Sequence, residues 1–302
     1  MKKIFISTCL LLTLGLAHAQ EIDLFKEMDE QNKKDSKEKT DYAAYTFKST
    51  RLVNGHTIEN VGKGILDFRI NHRFGRVNQG AYDLFGLDNA SMRMSLDYGI
   101  TDRLMVGIGR STFEKQFDGM VKYKILRQST GKKNMPITLS YVGTTILKTL
   151  KDPDPTINKN FTDRLYFAHQ LLIARKFNDH ASIQLMPTMV HYNIVPTAND
   201  PNDLFSLGIG ARQRISKRVH LTGEYYYQLN KLSGYYNSFS VGVDIETGGH
   251  VFQLHFTNST GMTERTFITE TTGRWSKGDI HFGFNISRVF TIVKPKEFKE
   301  KW

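Results

Sequence analysis

Residues 92–109 read MRMSLDYGITDRLMVGIG, and the order of residue types in this stretch decides the fold class. Met92, Met94, Leu96 and Tyr98 alternate with Arg93, Ser95, Asp97 and Gly99. Ile100-Thr101-Asp102 interrupts the pattern, and Leu104, Val106 and Ile108 then resume it against Met105, Gly107 and Gly109. Successive side chains of a strand point to opposite faces, so period-two alternation reads as two strands joined by a tight turn. One face carries large aliphatics and a tyrosine, the other glycine and charges of both signs. A sandwich with a face in open water favours Lys, Glu and Thr there. Glycine beside opposite charges suits a confined lumen, and the apolar face suits lipid.

The same grammar runs from residue 64 to 290. Leu66, Phe68 and Ile70 alternate with Asp67, Arg69 and Asn71, and Val121, Tyr123 and Ile125 with Lys122 and Lys124. Phe205, Leu207 and Ile209 oppose Ser206, Gly208 and Gly210, while Phe252, Leu254 and Phe256 oppose Gln253 and His255. No comparable 3.6-residue period appears. Strands are expected near 64–73, 90–99, 103–112, 116–126, 135–146, 164–176, 181–192, 203–214, 218–228, 236–246, 250–258 and 279–290. Tight turns at 100–102, 177–180, 215–217 and 246–249 occupy one parity. The longest connections, near 74–89, 147–163, 193–202 and 259–278, occupy the other, as in outer-membrane barrels. The connections at 113–115 and 127–134 fit this division less well. The predicted fold is all-β, an antiparallel transmembrane β-barrel of about 12 strands, with 14 as the alternative. The alternative arises at residues 46–61, where Asn54-Gly55 signals a hairpin between 47–53 and 56–61. Placing that hairpin in the lumen or under the barrel keeps the strand count even.

Composition narrows the class further. The chain has 302 residues, 24 Gly, 7 Pro and one Cys, which excludes a collagen-like repeat, a disulfide framework and a Cys-based zinc site. Lys2 and Lys3, the apolar run 4–16 and Ala17-His18-Ala19 predict a signal peptide over 1–19, cut before Gln20. Cleavage removes Cys9 and lowers the net charge from +11 to about +9. Residues 20–45 read as a charged flexible leader, 46–290 as the barrel with its hairpin, and 291–302 as a basic tail. An exported basic protein of this kind is expected in the outer membrane of a Gram-negative bacterium. Its partners there are outer-membrane lipid, anionic surface polysaccharide and a periplasmic protein. The cations are scattered, so nucleic acid is not expected.

Chemical motifs are sparse. Gly107-Ile108-Gly109 and Gly208-Ile209-Gly210 lack the third glycine and the helix of a phosphate-binding turn, and read as inward glycines. No H-E-x-x-H, C-x-x-C-H or G-x-S-x-G is present, so no catalytic, cofactor-binding or metal-binding residues are predicted, nor an enzyme. The informative set is the predicted lumen face: Asp67, Arg69, Arg73, Arg93, Asp97, Lys122, Lys124, Arg212, Arg214, Glu224, Asp244, His255 and His281. Charges away from bulk water must pair or meet channel water. One expectation is therefore a narrow, slightly anion-favouring passive channel or uptake component. The other is a non-conducting barrel, its lumen plugged by paired charges, that anchors or binds a periplasmic protein.

Several runs carry a family resemblance. They are Thr46-Phe47-Lys48-Ser49-Thr50-Arg51 with Asn54-Gly55-His56, Asp67-Phe68-Arg69-Ile70 with His72-Arg73-Phe74-Gly75, and Leu84-Phe85-Gly86-Leu87-Asp88. Tyr98-Gly99-Ile100-Thr101-Asp102-Arg103-Leu104, Gly107-Ile108-Gly109-Arg110, Asp118-Gly119 and Lys122-Tyr123-Lys124 extend the set. Over roughly 46–290 the sequence resembles a family of bacterial outer-membrane β-barrel proteins that forms a domain of unknown function. The resemblance implies an outer-membrane barrel and carries no assigned activity or catalytic residues.

Overall fold

The structure, a computed structural model, describes residues 39–154 and 159–294. The expected signal peptide, most of the leader and the tail beyond residue 294 lie outside the described residues. In chain order the strands are β1 (Thr40–Tyr42), β2 (Ile65–Arg76), β3 (Ala90–Gly99), β4 (Leu104–Ser111), β5 (Phe117–Leu126), β6 (Ser129–Gly131) and β7 (Thr138–Leu147). They continue as β8 (Leu165–Lys176), β9 (Ala181–Tyr192), β10 (Asp203–Arg214), β11 (Val219–Gln228), β12 (Ser238–Thr247), β13 (His250–Thr257) and β14 (His281–Thr291).

The chain divides into two compact units. In the smaller, β1 and β6 form a two-stranded antiparallel sheet. Residues 40–42, expected to belong to the flexible leader, are therefore strand. In the larger, twelve strands form a closed antiparallel barrel in which each pairs with the next and β14 closes on β2. The fourteen-strand alternative falls away, because residues 46–61 add no wall strand. They hold only one isolated bridge, between Arg51 and His56.

Period-two alternation built this wall. Along β10, Phe205, Leu207 and Ile209 are exposed while Ser206, Gly208, Gly210 and Arg212 are buried. The polarity is inverted relative to a water-soluble protein: Ile108 is 65% exposed, whereas Arg69 and Arg93 are 1% and 2% exposed. Water would penalise that arrangement and lipid favours it. Outward aromatics of β2, β13 and β14 cluster, with His72 stacked on Phe284 at 4.8 Å and Phe256 beside Phe282 at 5.4 Å. One end of the barrel carries the short connections 100–103, 177–180, 215–218 and 248–249. The other carries 77–89, 112–116, 148–164, 193–202, 229–237 and 258–280. The 127–137 connection, long for its end, contains β6.

The apolar core sits inside the barrel. Phe47, Leu52 and Ile58 pack with Val142, Leu172 and Met186 of the wall and with Phe267 and Ile268 of the 258–280 connection. That connection, expected as a long outer loop, is buried through most of residues 258–271 and includes one π-helical turn, Arg265–Thr269. Both stretches are inserts that fill the lumen.

Candidate functional site

An irregular segment at membrane depth must find partners for every backbone N–H and C=O. Residues 46–61 do so through polar side chains of the wall. Glu224 of β11 accepts from the backbone N–H groups of Asn54 at 2.8 Å, Gly55 at 2.9 Å and Val53 at 3.4 Å. Gln184 of β9 accepts from Ile58 N at 2.9 Å and donates to His56 O at 2.7 Å. Asn285 of β14 donates to Val53 O at 2.9 Å, and Lys122 of β5 donates to Thr57 O at 3.0 Å. Gly55 is required by close approach, since a Cβ there would overlap the Tyr226 hydroxyl. Its N–H is directed at Glu224, and Leu52 N donates to Gly55 O at 2.8 Å while Thr57 N donates to Thr50 O at 3.0 Å, so the expected hairpin is a short one whose tip is seated on the wall.

The two inserts meet on one carboxylate. Glu264 Oε1 lies 3.0 Å from Arg51 Nη1 and 3.2 Å from His56 Nε2, with all three side chains at 2% exposure or less. Burial opposes ionisation of Glu264, but Arg51, the His56 hydrogen bond and Arg93 outweigh it and hold the carboxyl well below the usual range. Burial and Arg51 push His56 down to about 3 against the opposing pull of Glu264, so its ring is neutral at physiological pH. Nearer the long-loop end, Arg265 binds Glu114 at 2.6 Å and Glu270 at 2.8 Å and lies 4.1 Å over the Tyr166 ring. This clamps the second insert to β8 and to the 112–116 turn.

The wall residues singled out in the sequence are placed as follows. Asp67 pairs with Arg69 at 3.0 Å, and Arg69 also donates to Thr50 of the first insert at 2.9 Å. Arg73 donates to Asn54 Oδ1 at 2.9 Å and to Ser259 O at 2.8 Å, joining both inserts, and lies 3.1 Å from His255 Nε2. Arg93 reaches across β4 to pair with Asp118, over Gly109, where a Cβ would run into the guanidinium. Asp97 is buried beside Gly107. Asp244 accepts from Gln253 at 2.9 Å. Arg212 is buried and donates to Asp179 O at 3.4 Å, whereas Lys124 and Arg214 are only half-buried, near the tight-turn end. His281 contacts Phe74 O at 2.8 Å and Thr260 at 3.1 Å, so it and His255 have separate partners.

Sequence reasoning missed Arg51, His56, Asp118, Glu264, Gln184 and Asn285. The second insert carried a signal of its own: a water-exposed loop has no reason to hold Met262, Phe267 and Ile268 so close together.

Residues 47–290 match a family described as a membrane bound beta barrel domain, DUF5777. The chain belongs to this family. The match covers nearly the whole span over which the sequence resembles such barrels, and agrees with the inverted wall and the closed sheet. No curated protein matches the sequence. Among solved structures the family member is similar to the NanC porin, at 9% identity and TM-score 0.48 over 76% of this chain and 100% of the porin. It is similar to the KdgM porin at 9% identity and TM-score 0.46, over 75% of this chain and 99% of that one. The COG4313 outer membrane channel of Pseudomonas putida F1 gives 12% identity and TM-score 0.43, over 77% and 98%.

Proposed function

We propose that the chain is an outer-membrane channel for small solutes, exported by its signal peptide and held shut here by its two inserts. The observation that carries this reading is the junction of Arg51, His56 and Glu264, where the inserts meet inside one charged lumen. Neither insert belongs to the wall, so either can move without breaking the ladder that closes the barrel. Many of the contacts that hold the first insert are hydrogen bonds that water replaces at modest net cost once the segment leaves. The emptied wall would present Arg69, Arg73, Arg93, Lys122 and Arg212 against Asp67, Asp97, Asp118, Glu224 and Asp244, with Lys124 and Arg214 tipping the balance toward anions.

The test is conductance in planar bilayers of the wild type and an Arg51→Gln/Glu264→Gln double variant. The wild type should give brief, sparse openings and the double variant longer ones, with a reversal potential on the anion side in a salt gradient. Folded barrels that never conduct in either form would overturn the channel.

A second reading has its own support. Phe47, Leu52 and Ile58 lie in an apolar cluster inside the lumen, and exposing each costs roughly 1.5–3 kcal/mol. That suits a permanently filled barrel serving as an anchor or a binding partner for a periplasmic protein. Silence in the bilayer, with loss of partner capture on deleting residues 20–38, would select it.

A further inference from the structure

The outer wall of β3, β4, β5 and β7 is not smooth. It holds a groove of about 700 Å³, within the size range of small-ligand sites, bounded by Ile108, Phe117, Leu147, Leu165 and Phe161. The dent arises because Gly119 and Thr145, paired in register, stand among much larger outward residues. A Cβ at Gly119 would find only Gly107 O, at 4.0 Å, so the space belongs to the groove and is not filled by the wall. Arg110 ends the outward row of β4, and Phe117, Leu147 and Leu165 lie at the same long-loop end of their strands. Among the described residues Arg110 makes no ion pair. Its guanidinium lies 4.7 Å from the Phe117 ring centroid, at the rim of the groove.

We propose that this groove binds the phosphorylated glycolipid of the outer leaflet, with an acyl chain in the dent and a phosphate on Arg110. Bulk lipid is as apolar as the groove, so chain burial alone selects nothing. Selectivity comes from the arginine, whose planar fork matches phosphate oxygens, placed where acyl chains give way to headgroups. A second copy of the chain fits worse. The outward rows of β3, β4, β5 and β7 carry no Asp or Glu, so a two-fold contact through this face would bring Arg110 toward Arg110 with no counter-charge.

The proposal rests on the outer-membrane placement and the long-loop-outward orientation above. The full chain is fractionated from its own cells, extracted in mild detergent and examined by native mass spectrometry and phosphate analysis. Lipopolysaccharide is the probe added back to delipidated protein. The wild type is expected to retain one glycolipid per barrel, and Gly119→Leu and Arg110→Gln each to retain less than a fifth of that. Both variants should keep wild-type gel mobility without boiling and wild-type conductance, since neither touches the lumen. Wild-type barrel that holds no glycolipid, retention by either variant equal to that of the wild type, a glycerophospholipid in its place, or a dimer through this face would each overturn the assignment. Recovery outside the outer-membrane fraction would instead overturn the placement on which it rests.

Discussion

Three backbone N–H groups converge on Glu224, and this explains how a carboxylate is tolerated inside a filled barrel. Hydrogen bonds to a charged acceptor are worth roughly 1.5–3 kcal/mol each, and leaving the donors buried and unpaired costs a similar amount. Glu224→Leu should therefore free the tip of the first insert. Hydrogen exchange at the amides of Val53, Asn54 and Gly55 should accelerate while the β7–β9 amides stay protected. Unchanged exchange at those three positions would show that Glu224 does not hold the tip. A contrasting pair of glycines tests the wall. Gly109→Ala drives a methyl into the Arg93 guanidinium and should cost about 1–3 kcal/mol. Gly119→Ala faces open space and should fall within about 0.5 kcal/mol of wild type. Urea midpoints in micelles check both, and equal midpoints would remove the steric account of Gly109.

At the scale of elements, the junction between the inserts carries a pH dependence. With the inserts apart, the His56 imidazole returns toward its ordinary value near 6.5, whereas in the junction it is held down to about 3. The separated state therefore binds the proton more readily. His56 contributes fully to closure above pH 6.5, and that contribution fades as pH falls toward 3, by up to about tenfold per unit. Glu264, held below the usual carboxylate range, adds closure that is present above its ordinary value and lost as pH falls through its depressed one. Arg51 and Arg93, whose guanidinium groups are permanently charged, flank the pair, so both effects run the same way. Open probability should rise between pH 7.5 and pH 5, and His56→Gln should flatten the response. A flat response in the wild type would remove this junction as the latch. The element most legible in sequence was the strand; the least was the insert. Asn54-Gly55 announced a turn, but the partners of the insert around it, Glu224 for Gly55, Gln184 for Ile58 and Asn285 for Val53, lie far away in sequence, on three different strands. No local pattern encodes such contacts.

For the molecule as a whole, closure of β14 on β2 removes every free edge from the barrel, and such sheets resist unfolding in detergent. Unboiled protein should run faster on a gel than boiled protein, and co-migration of the two would sink the barrel. The sequence by itself determined the wall. Period-two alternation acts residue by residue, and polarity sorts most positions between lipid and lumen, although Val142, Leu172 and Met186 turn inward to pack with the inserts. Glycines and charges read onto the inner face for a reason that is equally local, because a confined face excludes large side chains and demands counter-charges. The hairpin signal put residues 46–61 in the lumen or under the barrel, but the partners that hold them there, and the second insert beside them, came only with the folded barrel. The pairings of Arg51 with Glu264, Arg93 with Asp118 and Arg73 with Ser259 join residues brought together by barrel closure. A charge that meets water and a charge that meets an insert look the same until the chain has folded around them.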